Sequence, residues 1–175
     1  MALWNLNNQS ILIVDDFPEM RSLMRSMVMS FGAQKIEQAR NGEEAINALK
    51  KQRFDIILCD YNLGDGKDGQ QVLEEAKHRN LLPFTTIFAI VTAECSSQMV
   101  MGALEYQPDA YISKPVTKTV LQVRLKKLIE KKENLRDINT ALDKKLFKKA
   151  LALSDRHLGN DSKHRFELLK LKSDI

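Results

Sequence analysis

The chain has 175 residues, 43% of them hydrophobic and 29% charged, an ordinary globular mixture with room for one full domain and a smaller appendage. No apolar run approaches the roughly 20 residues that cross a bilayer, and the first residues lack the basic and apolar regions of a secretory signal. We therefore expect a cytoplasmic protein without membrane insertion. Cys59 and Cys95 lie in or beside apolar runs, which predicts buried free thiols rather than a disulfide.

The formal net charge of +4 conceals two oppositely charged regions. Residues 1–118 carry 12 Lys and Arg against 15 Asp and Glu, whereas residues 119–175 carry 15 against 8. Such a shift indicates two regions with different roles. We expect a first domain at residues 1–130 and a helical extension at residues 131–175.

Strand-like and helix-like patterns alternate over residues 10–118. Five runs predict strands: SILIVDD, KIEQA, DIILCD, TTIFAIVTA and DAYIS. The first, third and fourth are nearly continuous apolar runs, which is typical of parallel strands covered on both faces.

Helical spacing fills the intervals between these runs. Six apolar residues fall on one helical face: Met20, Leu23, Met24, Met27, Val28 and Phe31. Core packing is a far commoner role for such a methionine row than a special binding surface. Three more helices are expected at residues 42–51, 69–79 and 96–105. This alternation predicts an α/β fold, with a doubly wound five-stranded parallel sheet and right-handed crossovers.

From Thr117 onward the pattern is helical. Leucine recurs every seven residues, with further apolar residues between: Leu121, Leu125, Leu128, Leu135, Ile138, Leu142 and Leu146. This spacing predicts one long helix or two helices with an apolar seam, although Lys132 and Asn139 argue against a strict coiled coil. Two further amphipathic helices are expected at residues 141–155 and 161–172, joined through Gly159.

Aspartates follow two of the buried strands: Asp15 and Asp16 the first, and Asp60 the third. A single such acid is more often a loop residue or a helix cap. However, the carboxyl ends of neighbouring parallel strands share one edge of a sheet, so all three carboxylates should converge there and raise one another's pKa. A bound cation relieves that conflict. Oxygen-only ligands suit Mg²⁺, and without Cys or His zinc is not expected.

Two more side chains end strands at the same edge. Thr92 offers a hydroxyl after the fourth strand, and Lys114 offers a fixed positive charge after the fifth. A metal, a lysine, a hydroxyl and a carboxylate around one pocket describe phosphoryl chemistry, in which the nucleophile can be the carboxylate itself, forming an acyl phosphate.

The motifs VDD, DIILCDYN, VTAE and YISKP together resemble the receiver domain of two-component response regulators, in its chemotaxis-receiver form, over about residues 9–130. The resemblance implies a flavodoxin-like strand order 2-1-3-4-5. It implies that Asp60 accepts a phosphoryl group from a sensor histidine kinase or phosphotransfer protein. It further implies that Asp16 ligates Mg²⁺ directly, Asp15 largely through water, and Asn62 through its main-chain carbonyl. Such a domain is a signalling switch with slow self-dephosphorylation rather than an enzyme.

The same resemblance implies a switch. Thr92 would close on the phosphoryl oxygens, and Tyr111 would swing inward as Thr92 moves. The alternative for Tyr111 is a half-buried strand aromatic with no such role. The peptide bond between Lys114 and Pro115 is expected to be cis by resemblance.

Residues near the site include candidates for setting the phosphoryl lifetime and departures from the family pattern. Asn62 and Glu94 flank the expected path of the attacking water, so they are candidates for setting the phosphoryl lifetime. Gly64 stands where the family commonly has proline, in a loop one residue longer. Pro108 and Asp109 stand where a Gly-Ala pair is common. These departures affect loop shape more than chemistry.

The basic tail has three interpretations. DNA binding fits its charge, but the segment is short and carries no helix-turn-helix signal, so a nucleic-acid partner is not expected. A phosphotransfer role for His157 or His164 has no supporting sequence context. We favour a helical interaction region, faintly similar to the start of tetratricopeptide-type repeats, that contacts a protein output partner. Its abrupt end predicts either a truncated chain or a homodimer formed through the last receiver helix and the extension.

A phosphohydrolase of the haloacid-dehalogenase kind is the alternative function class, because it also combines an Asp nucleophile, Mg²⁺ and Lys. Those enzymes usually place a second aspartate two residues after the nucleophile. Here that position is Asn62, and the paired acids lie on a different strand.

Overall fold

The computed structural model describes residues 5–93 and 106–159. Several predictions fall outside these ranges: the helices at 96–105 and 161–172, Cys95, Glu94 and His164. Among the described helices, none is long and apolar enough to cross a membrane.

Five parallel strands form one sheet with the order β2-β1-β3-β4-β5, which confirms the predicted topology. They are β1 Ser10–Val14, β2 Lys35–Ala39, β3 Ile56–Asp60, β4 Ile87–Thr92 and β5 Ala110–Ser113. Every residue of β3 and β4 is buried. This burial explains the continuous apolar runs, since both faces of a central parallel strand are covered.

Six helices are described: α1 Pro18–Ser30, α2 Gly42–Lys51, α3 Gly69–His78, α4 Lys118–Asn134, α5 Arg136–Asp143 and α6 Phe147–Gly159. N-capping side chains mark the start of two of these helices. The Asn41 side chain accepts the Glu44 N–H at α2, and Asp68 and Gln71 form a reciprocal capping box at α3. The helices predicted at 42–51 and 69–79 are thereby confirmed to within one residue.

The core has a layer on each face of the sheet. Ile11 and Ile13 face the α1 and α4 side, whereas Leu12 and Val14 face the α2 and α3 side, as the two-residue period of a strand requires. The predicted core face of α1 is wrong at Leu23, which is 45% exposed. Leu23 lies at the edge of the apolar stripe, so the helix turns it toward solvent.

The chain divides into two compact units. The first comprises Met1–Leu82 and Thr86–Ile129, and the second comprises Pro83–Thr85 and Glu130–Ile175. Within the second unit, α5 and α6 pack around five buried residues: Leu135, Ile138, Ala141, Leu142 and Ala150.

The three-residue loop of the second unit is bound by side chains of that unit. The Asp143 carboxylate accepts the Phe84 N–H at 2.6 Å and the Thr85 hydroxyl at 3.1 Å. Lys132 donates from Nζ to the Phe84 carbonyl at 2.8 Å. Lys132, which interrupts the leucine pattern, therefore has a structural role.

The prediction of one helix over residues 141–155 is wrong at its start. Residues 141–143 complete α5, and Lys145 breaks the helix with a φ of 56° before α6 begins at Phe147. The seven-residue leucine pattern also continues across a break, because α4 ends at Asn134 and α5 begins at Arg136.

The leucines of the predicted seam are buried inside their own units. Leu121, Leu125 and Leu128 lie in the core of the first unit, and Leu135 and Leu142 in that of the second. A homodimer through this region stays a prediction. These leucines already pack against residues of their own chain.

Candidate functional site

Three carboxylates meet at the carboxyl edge of the sheet. β1 and β3 are direct neighbours, so Asp15 and Asp16 after β1 lie beside Asp60 at the end of β3. One potential ligand atom from each lies within 4.8 Å of the others. Asp15 and Asp60 are only 1% and 5% exposed. Three buried or half-buried anions this close together repel one another unless positive charge lies among them.

The main chain around the paired acids is fixed by the start of α1. The Phe17 N–H donates to Asp15 Oδ1 at 2.9 Å. Arg21 Nη1 donates to the carbonyls of Asp15 at 2.7 Å and of Asp16 at 3.1 Å. Arg21 was not identified from the sequence. A basic residue in the first helical turn after the paired acids is the signal that could have found it.

Lys114 provides positive charge inside the cluster. Its Nζ lies 2.7 Å from Asp60 Oδ2 and 3.2 Å from Asp15 Oδ2. Burial raises the pKa of Asp60, and the hydrogen bond and charge of Lys114 oppose that rise. Burial alone lowers the pKa of Lys114, but its contacts with Asp60 and Asp15 outweigh burial and the pKa is raised. Lys114 is therefore cationic across the physiological range.

The cluster fits a divalent cation. Asp16 Oδ1 is buried and has no hydrogen-bond partner among the residues that the structure describes. An orphaned buried carboxylate oxygen is costly, and a bound cation removes that cost. Three carboxylates and one ammonium leave a formal charge of −2, which one divalent ion balances. Oxygen ligands alone favour Mg²⁺ over softer metals.

The loop after β3 passes close to the acids. Gly64 adopts a φ of +70°, and a Cβ there would lie 3.4 Å from Asp16 Oδ2. Proline fixes φ near −65°, so the loop cannot take the conformation that a proline at this position would impose. The departure from the family pattern therefore does change loop shape beside Asp16.

Gly69 seats α3 against the end of β3. Its N–H donates to the Tyr61 carbonyl at 2.7 Å, and a Cβ at Gly69 would lie 2.2 Å from the Asp60 carbonyl oxygen. Any larger residue must displace the main chain that carries Asp60. This contact is a second feature that sequence reasoning missed, because nothing near Gly69 in the sequence signals the approach.

Two of the remaining candidates lie on β4 and β5. Thr92 is 3% exposed and ends β4, in register with Ser113 of β5. Tyr111 is half-buried and lies two residues before Ser113, so it and Thr92 share one face of the sheet. Burial and the nearby Tyr61 raise the pKa of Tyr111.

Two further predictions concern the chain beside Asp60 and Lys114. The Asn62 N–H donates to Asp60 Oδ1 over a long 3.4 Å, and the Asn62 side chain is exposed. The peptide bond between Lys114 and Pro115 is cis, as expected.

Comparison with known proteins agrees with this geometry. The family model "Response regulator receiver domain" matches residues 11–126, and the chain belongs to that family. The chain thus contains the receiver domain of a two-component response regulator, and receiver domains are signalling domains. Helices α5 and α6 lie beyond the matched segment.

Similar proteins include chemotaxis receivers. "Chemotaxis protein CheY-3" of Vibrio cholerae is 32% identical over 130 residues, 71% of this chain and 94% of that protein. "Chemotaxis protein CheY" of Pseudomonas aeruginosa is 29% identical over 121 residues, 69% of this chain and 96% of that protein. A solved CheY-like receiver domain protein from Methanospirillum hungatei has a TM-score of 0.64 at 28% identity, over 72% of this chain and 97% of its own.

Proposed function

We propose that Asp60 accepts a phosphoryl group from a histidine kinase or phosphotransfer protein, and that this modification switches a surface that binds a protein output partner. The observation that carries the proposal is the environment of the Asp60 carboxylate. It is buried, lies 2.7 Å from Lys114 Nζ, and borders a buried Asp16 oxygen without a partner among the described residues. Membership of the receiver family supports the same chemistry.

The transfer is a displacement at phosphorus. A carboxylate oxygen of Asp60 forms the new O–P bond of an acyl phosphate while the N–P bond of the donor phosphohistidine breaks. The electron pair of the broken bond stays on the imidazole nitrogen. Lys114 is cationic throughout and balances charge on the phosphoryl oxygens, a preorganised contribution that costs no rearrangement during the reaction.

Asp15, Asp16, Asp60 and the main-chain carbonyl of Asn62 would hold Mg²⁺. The bound ion supplies electrostatic stabilisation of the phosphoryl oxygens. The Asp15 carboxylate already accepts from the Phe17 N–H and contacts Lys114, which favours a water-mediated role for it. Asp16, with its orphaned oxygen, is the better direct ligand.

Thr92 and Tyr111 form the proposed switch. Their placement on one face of adjacent strands supports it, because movement of the Thr92 side chain toward a phosphoryl group opens space on the side from which Tyr111 approaches. Asn62, with its exposed side chain beside Asp60, and Glu94, outside the described residues, are proposed to set the lifetime of the phosphoryl group.

The proposal assigns residues 1–130 to the receiver and residues 131–175 to a helical interaction region. It places the protein in the cytoplasm, which fits the buried free thiol of Cys59. His157 pairs with Asp137 at 3.4 Å, and no described feature favours it as a phosphotransfer residue. The hydrolase alternative lacks the second aspartate, since Asn62 holds that position.

Transfer from a small phosphodonor tests the proposal. Incubation with labelled phosphoramidate and Mg²⁺ should label the wild-type chain and leave Asp60→Asn unlabelled. The matched control is Asp65→Asn, which removes an exposed acid from the same loop and should be labelled normally. Equal labelling of the Asp60→Asn variant rejects the proposal, and sustained turnover of small phosphate esters would favour the hydrolase instead.

A further inference from the structure

A second candidate site lies at the turn between α5 and α6. Residues 144–149 read KKLFKK, with four lysines around one leucine and one phenylalanine and no acid. Leu146 and Phe147 are each 47% exposed. Two large apolar side chains, each about half exposed and adjacent in sequence, form an apolar patch at this turn.

The four lysines have no ion pair or side-chain hydrogen bond to any residue in the described ranges 5–93 and 106–159. The nearest acid in sequence, Asp143, is already engaged by the Phe84 N–H and the Thr85 hydroxyl. The segment therefore presents four charges, which no described residue pairs with, around an exposed apolar pair. That combination is complementary to an anionic surface that also offers apolar contacts.

The backbone of the turn carries lysine where glycine is the favoured residue. The Lys145 N–H donates to the Leu142 carbonyl and the Leu146 N–H to the Ala141 carbonyl, both at 2.8 Å. These two bonds form a Schellman motif, whose left-handed position normally holds glycine. Lys145 occupies that position with a φ of 56°. A strained non-glycine residue at a conformation that glycine adopts freely points to a use for its side chain.

An open groove of about 480 Å³ lies beside the turn. Its lining includes Arg136, Ala141, Lys144, Leu146 and Lys149. Two acids also line it, but Glu133 pairs with Arg136 at 3.3 Å and Asp137 with His157 at 3.4 Å. Lys144 and Lys149 leave the lining with a net positive charge beside its apolar part, and a concave groove of this kind fits an acidic polypeptide better than a flat membrane surface.

We propose that residues 144–149 and the adjoining groove form a docking surface for an acidic, amphipathic segment of a protein partner. Leu146 and Phe147 contact its apolar side chains, and the four lysines pair with its carboxylates. This surface lies wholly in the second unit, and its binding does not require a phosphoryl group on Asp60. Its failure and the failure of phosphoryl transfer are therefore separately observable.

The test measures binding to the unphosphorylated full chain by fluorescence anisotropy. The probe is a short labelled peptide with glutamates on one face and leucines on the other, compared with the same peptide carrying glutamines. The glutamate peptide should bind, salt should weaken it, and the glutamine peptide should bind far less. Replacing Lys144, Lys145, Lys148 and Lys149 by Gln should weaken binding by about 16-fold, since each exposed charge contact changes affinity by about twofold.

Two controls keep the result interpretable. The charge-matched control replaces four exposed lysines of the first unit, Lys35, Lys50, Lys51 and Lys127, by Gln and should leave affinity unchanged. The variant Lys145→Gly should raise the melting temperature of the protein and weaken its affinity for the peptide about twofold. A lysine with only a structural role would not change stability and affinity in opposite directions. Absent peptide binding, equal loss in the control, or 144–149-dependent binding only to phosphatidylserine vesicles overturns the proposal.

Discussion

Magnesium should stabilise the folded protein by a predictable amount. The site carries three carboxylates and one ammonium, a formal charge of −2 at a position where Asp16 Oδ1 is buried without a partner among the described residues. A ligand that binds the folded state alone adds about 2.7 kcal/mol at one hundred times its dissociation constant. For a domain of this size that corresponds to a rise in melting temperature of about 10 °C.

The assay is thermal unfolding followed by circular dichroism, with and without saturating MgCl₂, at constant ionic strength. Asp16→Asn should lose most of the magnesium-dependent rise, and without magnesium it should unfold no earlier than wild type because it removes an unpaired buried charge. Asp65→Asn, which alters an exposed acid in the neighbouring loop, should respond like wild type. A melting temperature indifferent to magnesium, or equal loss in both variants, would refute the reasoning.

Four further outcomes are expected. Lys114→Met leaves Asp15 and Asp60 without their buried partner, so urea unfolding should show a loss of about 3–5 kcal/mol; an unchanged midpoint contradicts this. Gly69→Ala, whose Cβ meets the Asp60 carbonyl, should cost about 1–3 kcal/mol in the same assay and slow labelling of Asp60; wild-type values for both contradict the contact. Lys145→Gly relieves a left-handed lysine and should add about 1 kcal/mol; a destabilised variant contradicts it. The pKa of Asp60 is raised in the folded state, so the folded protein holds the Asp60 proton more tightly than the unfolded chain does. The resulting contribution to the free energy of unfolding is fully present below the unfolded pKa and is lost as pH rises through the folded pKa. The stability of Asp60→Asn relative to magnesium-free wild type should therefore increase from acid to neutral pH, and a flat difference would oppose the assignment.

The acidic cluster was predictable because it depends on one topological rule. Once β1 and β3 are parallel neighbours, Asp15, Asp16 and Asp60 must share an edge, and the sequence alone contains the apolar runs that establish this. Arg21 and Gly69 were missed because their roles depend on three-dimensional approach. Arg21 donates to the carbonyls of the paired acids, and Gly69 lies against the Asp60 carbonyl. The periodicity of the sequence predicts neither contact.

The end of α5 was mispredicted for a different reason. A helix stop is normally announced by glycine or proline, and Lys145 provides neither while adopting the left-handed conformation. Leu146 continues the apolar spacing and so extends the predicted helix, although its side chain is 47% exposed. Helical periodicity alone cannot distinguish a buried leucine from one displayed at a turn.

Chemical mapping of the phosphoryl group tests the central claim most directly. Borohydride reduces an aspartyl acyl phosphate to homoserine, so wild-type protein treated with phosphodonor and Mg²⁺, then reduced and digested, should yield a peptide with homoserine at position 60. Untreated protein should retain Asp60 in the same peptide. Homoserine at Asp15 or Asp16, or none at any position despite incorporated label, would contradict the assignment of Asp60 as the phosphoacceptor.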